Sequence, residues 1–205
     1  MKKYLFFLAI GVIFLLGGKQ LVAMKDRKIE FYFTRRENFL AISAAINEKN
    51  LSEKKIQEII EENKEGIDCK TNFDEPLLNS ALYESKNKTF DLLLECGADP
   101  KKENAVGFNA IIVAAAYNNV KALELLVKKK IDINHANNYK ETALHRAVIN
   151  GCFEAASFLV NHGAKIDSIH GIFKKNALDL ALECLNEEEN KEKKKDRTKI
   201  LKLMK

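Results

Sequence analysis

One apolar pattern recurs four times along the chain at an almost constant spacing. The stretches EPLLNSAL, NAIIVAAA, TALHRAVI and NALDLALE begin at Glu75, Asn109, Thr142 and Asn176, which are 34, 33 and 34 residues apart. A looser copy, NFLAISAA, begins at Asn38. A period near 33 residues is typical of a solenoid, in which each unit packs only against its neighbours.

A second pattern recurs in the same phase. GIDCK, GADPK, KIDIN and GAKID follow the apolar stretches, and they start at positions 66, 97, 130 and 163. In the unit that begins at Thr142, apolar residues recur at helical spacing, first at Leu144, Ala147 and Val148 and then at Phe158 and Leu159. Each unit is therefore predicted to be a pair of short helices. Helices of about ten residues are unstable alone, so the pairs must stack.

The first residues of these stretches favour helix starts. Asn38, Asn109, Thr142 and Asn176 all have side chains that cap helix N-termini well. Where Glu75 departs from the pattern, Pro76 follows it, and proline is favoured at the first helical position.

Glycines mark the predicted helix ends. Gly151 should end the first helix of its unit, and Gly66, Gly97 and Gly163 should end second helices in left-handed turns. Lys130 stands where these units have glycine, so a left-handed lysine is expected there.

The charge balance gives little support to nucleic-acid binding. The formal net charge is +5, but Lys2, Lys3 and Lys19 contribute three of these charges, and residues 1–23 contain no acid. The remaining chain is close to neutral, so no nucleic-acid partner is expected.

Residues 4–18 are uncharged and follow two lysines, which is the pattern of a secretory signal. Cleavage after Ala23 would release the chain. The alternative is a retained membrane anchor, extended past Lys19 by residues 21–23. Both alternatives place the repeats outside the cytoplasm, either periplasmic or secreted, or anchored in the inner membrane. Residues 24–35 would form a linker.

The four cysteines, Cys69, Cys96, Cys152 and Cys184, form no C-x-x-C motif, and no histidine lies at metal-ligand spacing from them. An exported location would permit disulfides, but the spacing does not require them. Packing as small apolar residues in or beside helices is the favoured interpretation.

The units resemble ankyrin repeats. TALHRAVINGC from Thr142, FLVNHGAKID from Phe158 and LLLECGADP from Leu92 carry the resemblance, which covers about residues 36–185. It implies an all-α solenoid of about five helix pairs with hairpin-like loops. The units would span approximately 36–70, 71–104, 105–137, 138–171 and 172–205. It also implies a monomeric module, similar to exported bacterial members, that binds an unidentified protein and needs no cofactor.

The chain departs from the family pattern in several places. Lys140 and Lys174 stand where a loop glycine is usual, so distorted loop tips are expected. The charged run 187–197 should be a solvated loop or a helix extension. A final helix should then bury an apolar face formed by Ile200, Leu203 and Met204.

The histidines do not suggest a metal site or an enzyme. In ankyrin repeats the residue at the place of His145 hydrogen-bonds between loops and units. His135 and His170 are expected to be exposed in loops. No two histidines are three or four residues apart, and no motif of a hydrolase or phosphate site is found.

The resemblance implies a concave binding face formed by loop tips and the outer sides of the first helices. The matching residues are Val106, Phe108, Val113, Ala116, Tyr117, Asn138, Tyr139, Glu141, Arg146, Asn150, Ile172, Phe173 and Lys175. Arg146, Lys101 and Lys175 would form the rim of this face. Phe108, Tyr117, Tyr139 and Phe173 would form an aromatic stripe, a composition typical of interface centres. The alternative for Phe108 and Phe173 is an inward position that supports the loops.

Protein binding outside the cytoplasm is thus the expected function. The alternatives are a membrane-anchored scaffold, with membrane association through residues 4–23, and a protective partner of an exported enzyme.

Overall fold

The computed structural model describes residues 37–38, 40–45, 52–70, 74–83, 87–187 and 191–204. The predicted signal or anchor, residues 1–23, and the linker, residues 24–35, lie outside these ranges. In the ranges that are described, no helix combines the length and the apolar character needed to cross a bilayer.

The described residues form helices, joined by short turns within a unit and by longer loops between units, as the repeat pattern predicts. Residues 37, 38 and 40–45 are helical and precede the first labelled helix. The helices that follow are α1 (Glu53–Glu62), α2 (Leu77–Tyr83), α3 (Asn87–Glu95), α4 (Ala110–Ala116), α5 (Val120–Lys128), α6 (Ala143–Asn150), α7 (Phe153–Asn161), α8 (Ala177–Glu187) and α9 (Lys191–Leu203), with a short 3₁₀ helix at Lys64–Gly66 between α1 and α2.

The helices pack in two layers. The first helices α2, α4, α6 and α8 contact one another in chain order, and so do the second helices α1, α3, α5, α7 and α9. Each first helix also packs against the second helix of its own unit. The helix-pair solenoid expected from the 33-residue period is confirmed.

Residue size explains the close approach of the first helices. Ala114, Ala115 and Ala147 are fully buried and leave room for the neighbouring backbone. The larger side chains of Leu123 and Leu126 fill the space towards the second layer. Stacking therefore buries apolar faces that a single short pair would leave in water.

Most of the predicted helix caps are confirmed. The side chains of Asn109, Thr142 and Asn176 accept hydrogen bonds from backbone N–H groups three residues ahead, at 3.4, 3.4 and 2.9 Å. The expectation for Asn38 is wrong, because residue 37 is already helical and Asn38 lies inside that helix. The helix after Pro76 begins at Leu77, one residue later than predicted.

The glycine-ended helices follow the prediction with one exception. Gly97, Gly151 and Gly163 have φ values of 98°, 72° and 89°, in the left-handed region. Gly66 does not, and that expectation is wrong. The chain leaves α1 through the 3₁₀ turn Lys64–Gly66, in which the Ile67 N–H donates to the Lys64 carbonyl at 3.1 Å.

Three lysines occupy left-handed positions. Lys130, Lys140 and Lys174 have φ values of 58°, 57° and 55°. The expected distortion of the two loop tips is not found. The hairpin at Lys140 keeps its antiparallel bridge between Ala136 and Thr142, because the lysine itself adopts the conformation that glycine usually supplies.

Replacing Lys130 with glycine should leave stability unchanged or raise the free energy of unfolding by up to ~1 kcal/mol, because glycine adopts this backbone without steric cost. Chemical denaturation of the wild-type and variant chains measures the difference. A clear fall in the midpoint would contradict the strain assigned to this position.

The last two helices contain the described part of the charged run. It continues α8 to Glu187 and fills the first half of α9, so it extends helices, whereas residues 188–190 lie outside the described ranges. The buried face of α9 is formed by Ile200, Leu201 and Met204. Leu203 is half-buried beside them, so the predicted apolar face is present, and Leu201 is an addition to it.

Three of the four cysteines occupy apolar surroundings, as expected. Cys96 is buried in the hydrophobic core, and Cys69 and Cys152 pack against it from partly buried positions. Burial raises the pKa of the Cys96 thiol, which keeps it protonated and unreactive near neutral pH.

Candidate protein-binding surface

The loop before α6 is held by one asparagine side chain. The Asn137 Oδ1 atom accepts hydrogen bonds from the backbone N–H groups of Tyr139 and Glu141, both at 2.9 Å. The Asn137 backbone carbonyl accepts from the Lys140 N–H, also at 2.9 Å. These bonds fix a tight turn that carries the exposed Tyr139 ring at its tip.

Glu141 was expected to face a partner, and that expectation is wrong. Its side chain is only 4% exposed, against 28% for its ion-pair partner Arg146, at 2.8 Å. The Glu141 carboxylate also accepts from the Asn137 side-chain amide at 3.1 Å. Glu141 therefore supports the loop from inside. Arg146 was expected at the rim, but its guanidinium belongs to the hydrogen-bonded network around the buried Glu141 carboxylate.

The next loop is organised by His170. Its Nδ1 atom accepts from the backbone N–H groups of Ile172 and Phe173, at 3.1 and 3.4 Å. Nδ1 must therefore be unprotonated, so the neutral ring carries its proton on Nε2, which lies 3.8 Å from a Glu141 carboxylate oxygen. The expectation that His170 is exposed is wrong, because its ring is buried between this carboxylate and the loop backbone.

His145 joins two loops, as the resemblance implies. Its Nδ1 atom accepts from the Thr142 N–H at 3.2 Å, completing the N-terminal cap of α6. Its Nε2 atom then donates to the Ser168 carbonyl of the next loop at 2.9 Å. The His145 and His170 rings meet edge to face, with 5.6 Å between their centroids.

Four large apolar side chains project from these two adjacent loops. Tyr139 is 48% exposed, Ile169 51%, Ile172 59% and Phe173 51%. The Gly171 N–H donates to the Tyr139 carbonyl at 2.7 Å, which joins one loop to the other. A Cβ atom at Gly171 would overlap that carbonyl, so only glycine fits there. We call Tyr139, Ile169, Ile172 and Phe173 the tip patch.

The two phenylalanines, for which exposed and inward positions were both considered, differ in their placement. Phe173 is exposed and also packs on the His170 ring, with centroids 4.6 Å apart. Phe108 is half-buried and lies under the Arg146 guanidinium, whose carbon is 4.9 Å from the ring centroid. Phe108 therefore takes the inward, supporting position. Ile169 was not among the predicted residues, and its place in an irregular loop offered no periodic signal.

Other predicted residues are placed less favourably for binding. Val113 is 1% exposed, so its predicted contact with a partner is wrong: it lies on the packed side of α4. Val106 and Ala116 are half-buried. Lys175 forms an ion pair with Glu183, and Lys101 is exposed.

Tyr117 is exposed, but it lies at the C-terminal end of α4, away from the tip patch. Phe108 precedes this helix and Tyr117 follows it, and seven helical residues, about 10 Å, separate them. The Tyr117 ring contacts Tyr83 of the preceding unit edge to face at 5.4 Å and lines an open cavity of about 350 Å³. The four predicted aromatic residues therefore do not form one stripe: Tyr139 and Phe173 lie in the tip patch, Phe108 is inward and Tyr117 is at the far end of α4.

Two exposed asparagines link neighbouring units on this face. The Asn138 amide donates to the Ala105 carbonyl at 3.1 Å, and the Asn150 amide donates to the Ala116 carbonyl at 2.9 Å. Each bond ties one predicted binding residue to the preceding unit. Hydrogen bonds therefore connect neighbouring units across this surface.

The two buried histidines make stability depend on pH. Burial lowers the pKa of His170, with Arg146 adding to the effect and Glu141 opposing it, and burial also lowers the pKa of His145. The unfolded chain then binds protons that the folded chain does not, so stability is complete above about pH 6.5 and falls below it.

We expect the free energy of unfolding to decrease as the pH falls below about 6.5, by at most about 1.4 kcal/mol per pH unit for each histidine. Urea unfolding at pH 7.5 and pH 5.5 measures this. A His170→Asn variant should show a smaller difference between the two pH values. An unchanged difference would contradict the role given to His170.

Among the residues that the structure describes, no group of three or more histidine, cysteine, aspartate or glutamate side chains is arranged to hold a metal ion. The buried Glu141, His145 and His170 instead have partners that fix the loops.

The comparison with protein families decides the identity of these units. The family model described as ankyrin repeats, in three copies, matches residues 77–170. This chain carries ankyrin repeats. The matched segment includes α2 to α7 and ends at His170, so one of the two tip-patch loops lies inside it and the other at its edge.

Similar ankyrin-repeat segments occur in very different proteins. The chain is 31% identical over 107 residues to alpha-latrotoxin-Lg1a of Latrodectus geometricus, covering 51% of this chain and 8% of the toxin. It is 31% identical over 93 residues to the human transient receptor potential cation channel subfamily A member 1, which covers 42% of this chain and 8% of the channel.

A putative ankyrin repeat protein of Acanthamoeba polyphaga mimivirus is 32% identical over 79 residues, which cover 36% of this chain and 49% of the viral protein. The chain therefore spans half or less of the length of each of these relatives. The likeness concerns the repeats, which mediate protein–protein interaction.

Proposed function

We propose that this ankyrin-repeat protein binds a protein partner at the tip patch, outside the cytoplasm. The observation that carries the proposal is the exposure of Tyr139, Ile169, Ile172 and Phe173 on two joined loops. Exposed large hydrophobic residues that lie together mark interaction sites more often than isolated ones do.

The size of the patch fits the centre of an interface. Four large side chains that are each about half exposed present roughly 400 Å² of mainly apolar surface. A standard interface uses about 800 Å² on each partner and surrounds an apolar centre with polar groups. The exposed Asn138, which directly precedes Tyr139, would supply a polar rim contact.

Rigid loops reduce the cost of binding. The Asn137 and His170 side chains hold both turns by hydrogen bonds to backbone N–H groups. The apolar side chains are thus presented on backbone that is already ordered, and less conformational entropy is lost on association.

Replacing Tyr139 with alanine should weaken partner binding by more than ~1 kcal/mol and change stability by less than about 0.5 kcal/mol. The partner is first identified by cross-linking in the native host with mass spectrometry. Its dissociation constants for the wild-type and variant chains are then compared, together with their urea midpoints.

The matched control is Tyr117→Ala, since Tyr117 is equally exposed but lies at the other end of its helix. It should leave the affinity nearly unchanged. Equal losses of affinity in both variants, or a loss of stability that parallels the loss of affinity in Tyr139→Ala, would contradict binding at the tip patch.

The location outside the cytoplasm rests on the sequence of residues 1–23. Sequencing the N-terminus of the protein from its host tests it: a start at Met24 supports cleavage and release. Recovery of Met1 in a membrane fraction supports the anchored form, and recovery of the intact chain from the cytoplasm would contradict export.

A further inference from the structure

Two lysines flank the tip patch without a partner of opposite charge. Lys140 follows Tyr139 and Lys174 follows Phe173, and both are exposed. Neither forms an ion pair with another residue in the described part of the chain. Each apolar loop tip therefore ends in an unneutralised positive charge.

The acids nearby do not cancel these charges. Glu141 is buried and paired with Arg146, and Glu183 is paired with Lys175. Asp167 is exposed in the second loop and Asp179 in the first turn of α8. The exposed Lys165 lies two residues before Asp167, and neither aspartate forms an ion pair with Lys140 or Lys174. The surface around the tip patch is therefore apolar at its centre and positive at its edge.

From this arrangement we infer that the tip patch recognises an acidic protein segment, in which aliphatic or aromatic side chains contact the patch and neighbouring carboxylates contact Lys140 and Lys174. The inference rests on the proposed function and names the chemistry of the partner. Complementary charge at the rim of an apolar centre chiefly sets the choice of partner and the rate of association.

The backbone conformation of Lys140 and Lys174 allows their charges to be removed without straining the fold. Both adopt left-handed φ values, at which glycine is unstrained, so replacing them with glycine removes charge without loosening the fold. The Lys140→Gly/Lys174→Gly variant should be at least as stable as the wild-type chain. Any loss of binding is then a loss of recognition rather than of folding.

Lys130 offers a matched control. It is exposed and left-handed like the other two, but it follows α5, at the end of a second helix and outside both loop tips. Lys130→Gly therefore removes the same charge with the same backbone effect. Binding that depends on general positive charge would respond to it, whereas binding at the tip patch would not.

The experiment uses a library of random 12-residue peptides displayed on phage, selected on the full-length wild-type chain in detergent. We expect enriched peptides that contain several Asp or Glu residues together with Leu, Ile or Phe. One such peptide, synthesised and labelled, should bind the Lys140→Gly/Lys174→Gly variant about 3- to 20-fold more weakly and Lys130→Gly equally well. Its affinity for the wild-type chain should fall as salt rises.

Neutral or basic peptides, no enriched peptides, or equal binding by the double variant would overturn the inference. Sedimentation with vesicles of phosphatidylcholine and phosphatidylserine tests an anionic membrane as the ligand. Vesicle binding that is lost in the double variant, without peptide enrichment, would also overturn it. Weaker binding of the native partner by Tyr139→Ala, with normal binding by the Lys140→Gly/Lys174→Gly variant, would support binding at the tip patch. That result would refute only the inference that the partner is acidic.

Discussion

Replacing Arg146 of α6 with alanine is expected to lower the free energy of unfolding by about 3–5 kcal/mol. The reason is the Glu141 carboxylate, which is 4% exposed and loses the Arg146 guanidinium, its cationic partner at 2.8 Å. The Phe108 ring loses its covering guanidinium at the same time. Urea unfolding of the two chains at pH 7.5 measures the change.

The matched control removes both charges. In a Glu141→Leu/Arg146→Met variant no uncompensated carboxylate remains in the interior, so much of the lost stability should return. The Asn137 amide still loses one acceptor, and recovery should therefore be incomplete. If Arg146→Ala costs less than about 1 kcal/mol, the ion pair behaves like an exposed one and the buried network has been overstated.

Replacing Leu144 with alanine is expected to cost about 2–5 kcal/mol, because the truncation leaves a cavity between stacked units. Leu144 is buried in α6, and this helix packs against α4, α7 and α8. The cost is a large share of the stability of a small domain. Denaturation followed by circular dichroism at 222 nm would show it.

Leu182 is the control for that prediction, since it is a helical leucine in α8 that is 42% exposed. Leu182→Ala should change the unfolding free energy by less than about 0.5 kcal/mol. Similar costs for Leu144→Ala and Leu182→Ala would mean that stacking between units contributes little to stability.

The period of the sequence was enough to predict the architecture. Helix starts at Asn109, Thr142 and Asn176 followed from side-chain chemistry that acts within three residues, and so did the left-handed Lys130. Such local rules hold because they need no knowledge of the rest of the fold. They failed at Gly66, where a 3₁₀ turn replaces the expected left-handed ending.

The binding surface was predicted only in part, and the errors have a common cause. Tyr139, Ile172 and Phe173 are exposed as expected, whereas Val113 and Glu141 are buried. Their burial depends on which side of a helix or loop faces the next unit. His170 could not be placed from its neighbours in sequence, because its position is fixed by Glu141 and His145, which lie far earlier in the chain.

Photo-cross-linking from position 172 tests the central claim most directly. A photoreactive phenylalanine analogue replaces Ile172 in the full chain expressed in its host, and a second chain carries it in place of Glu124, which is exposed on α5. Binding at the tip patch predicts one dominant cross-linked protein from position 172, lost in a Tyr139→Ala background, and none from position 124. The same product from both positions, or from position 124 alone, would contradict it.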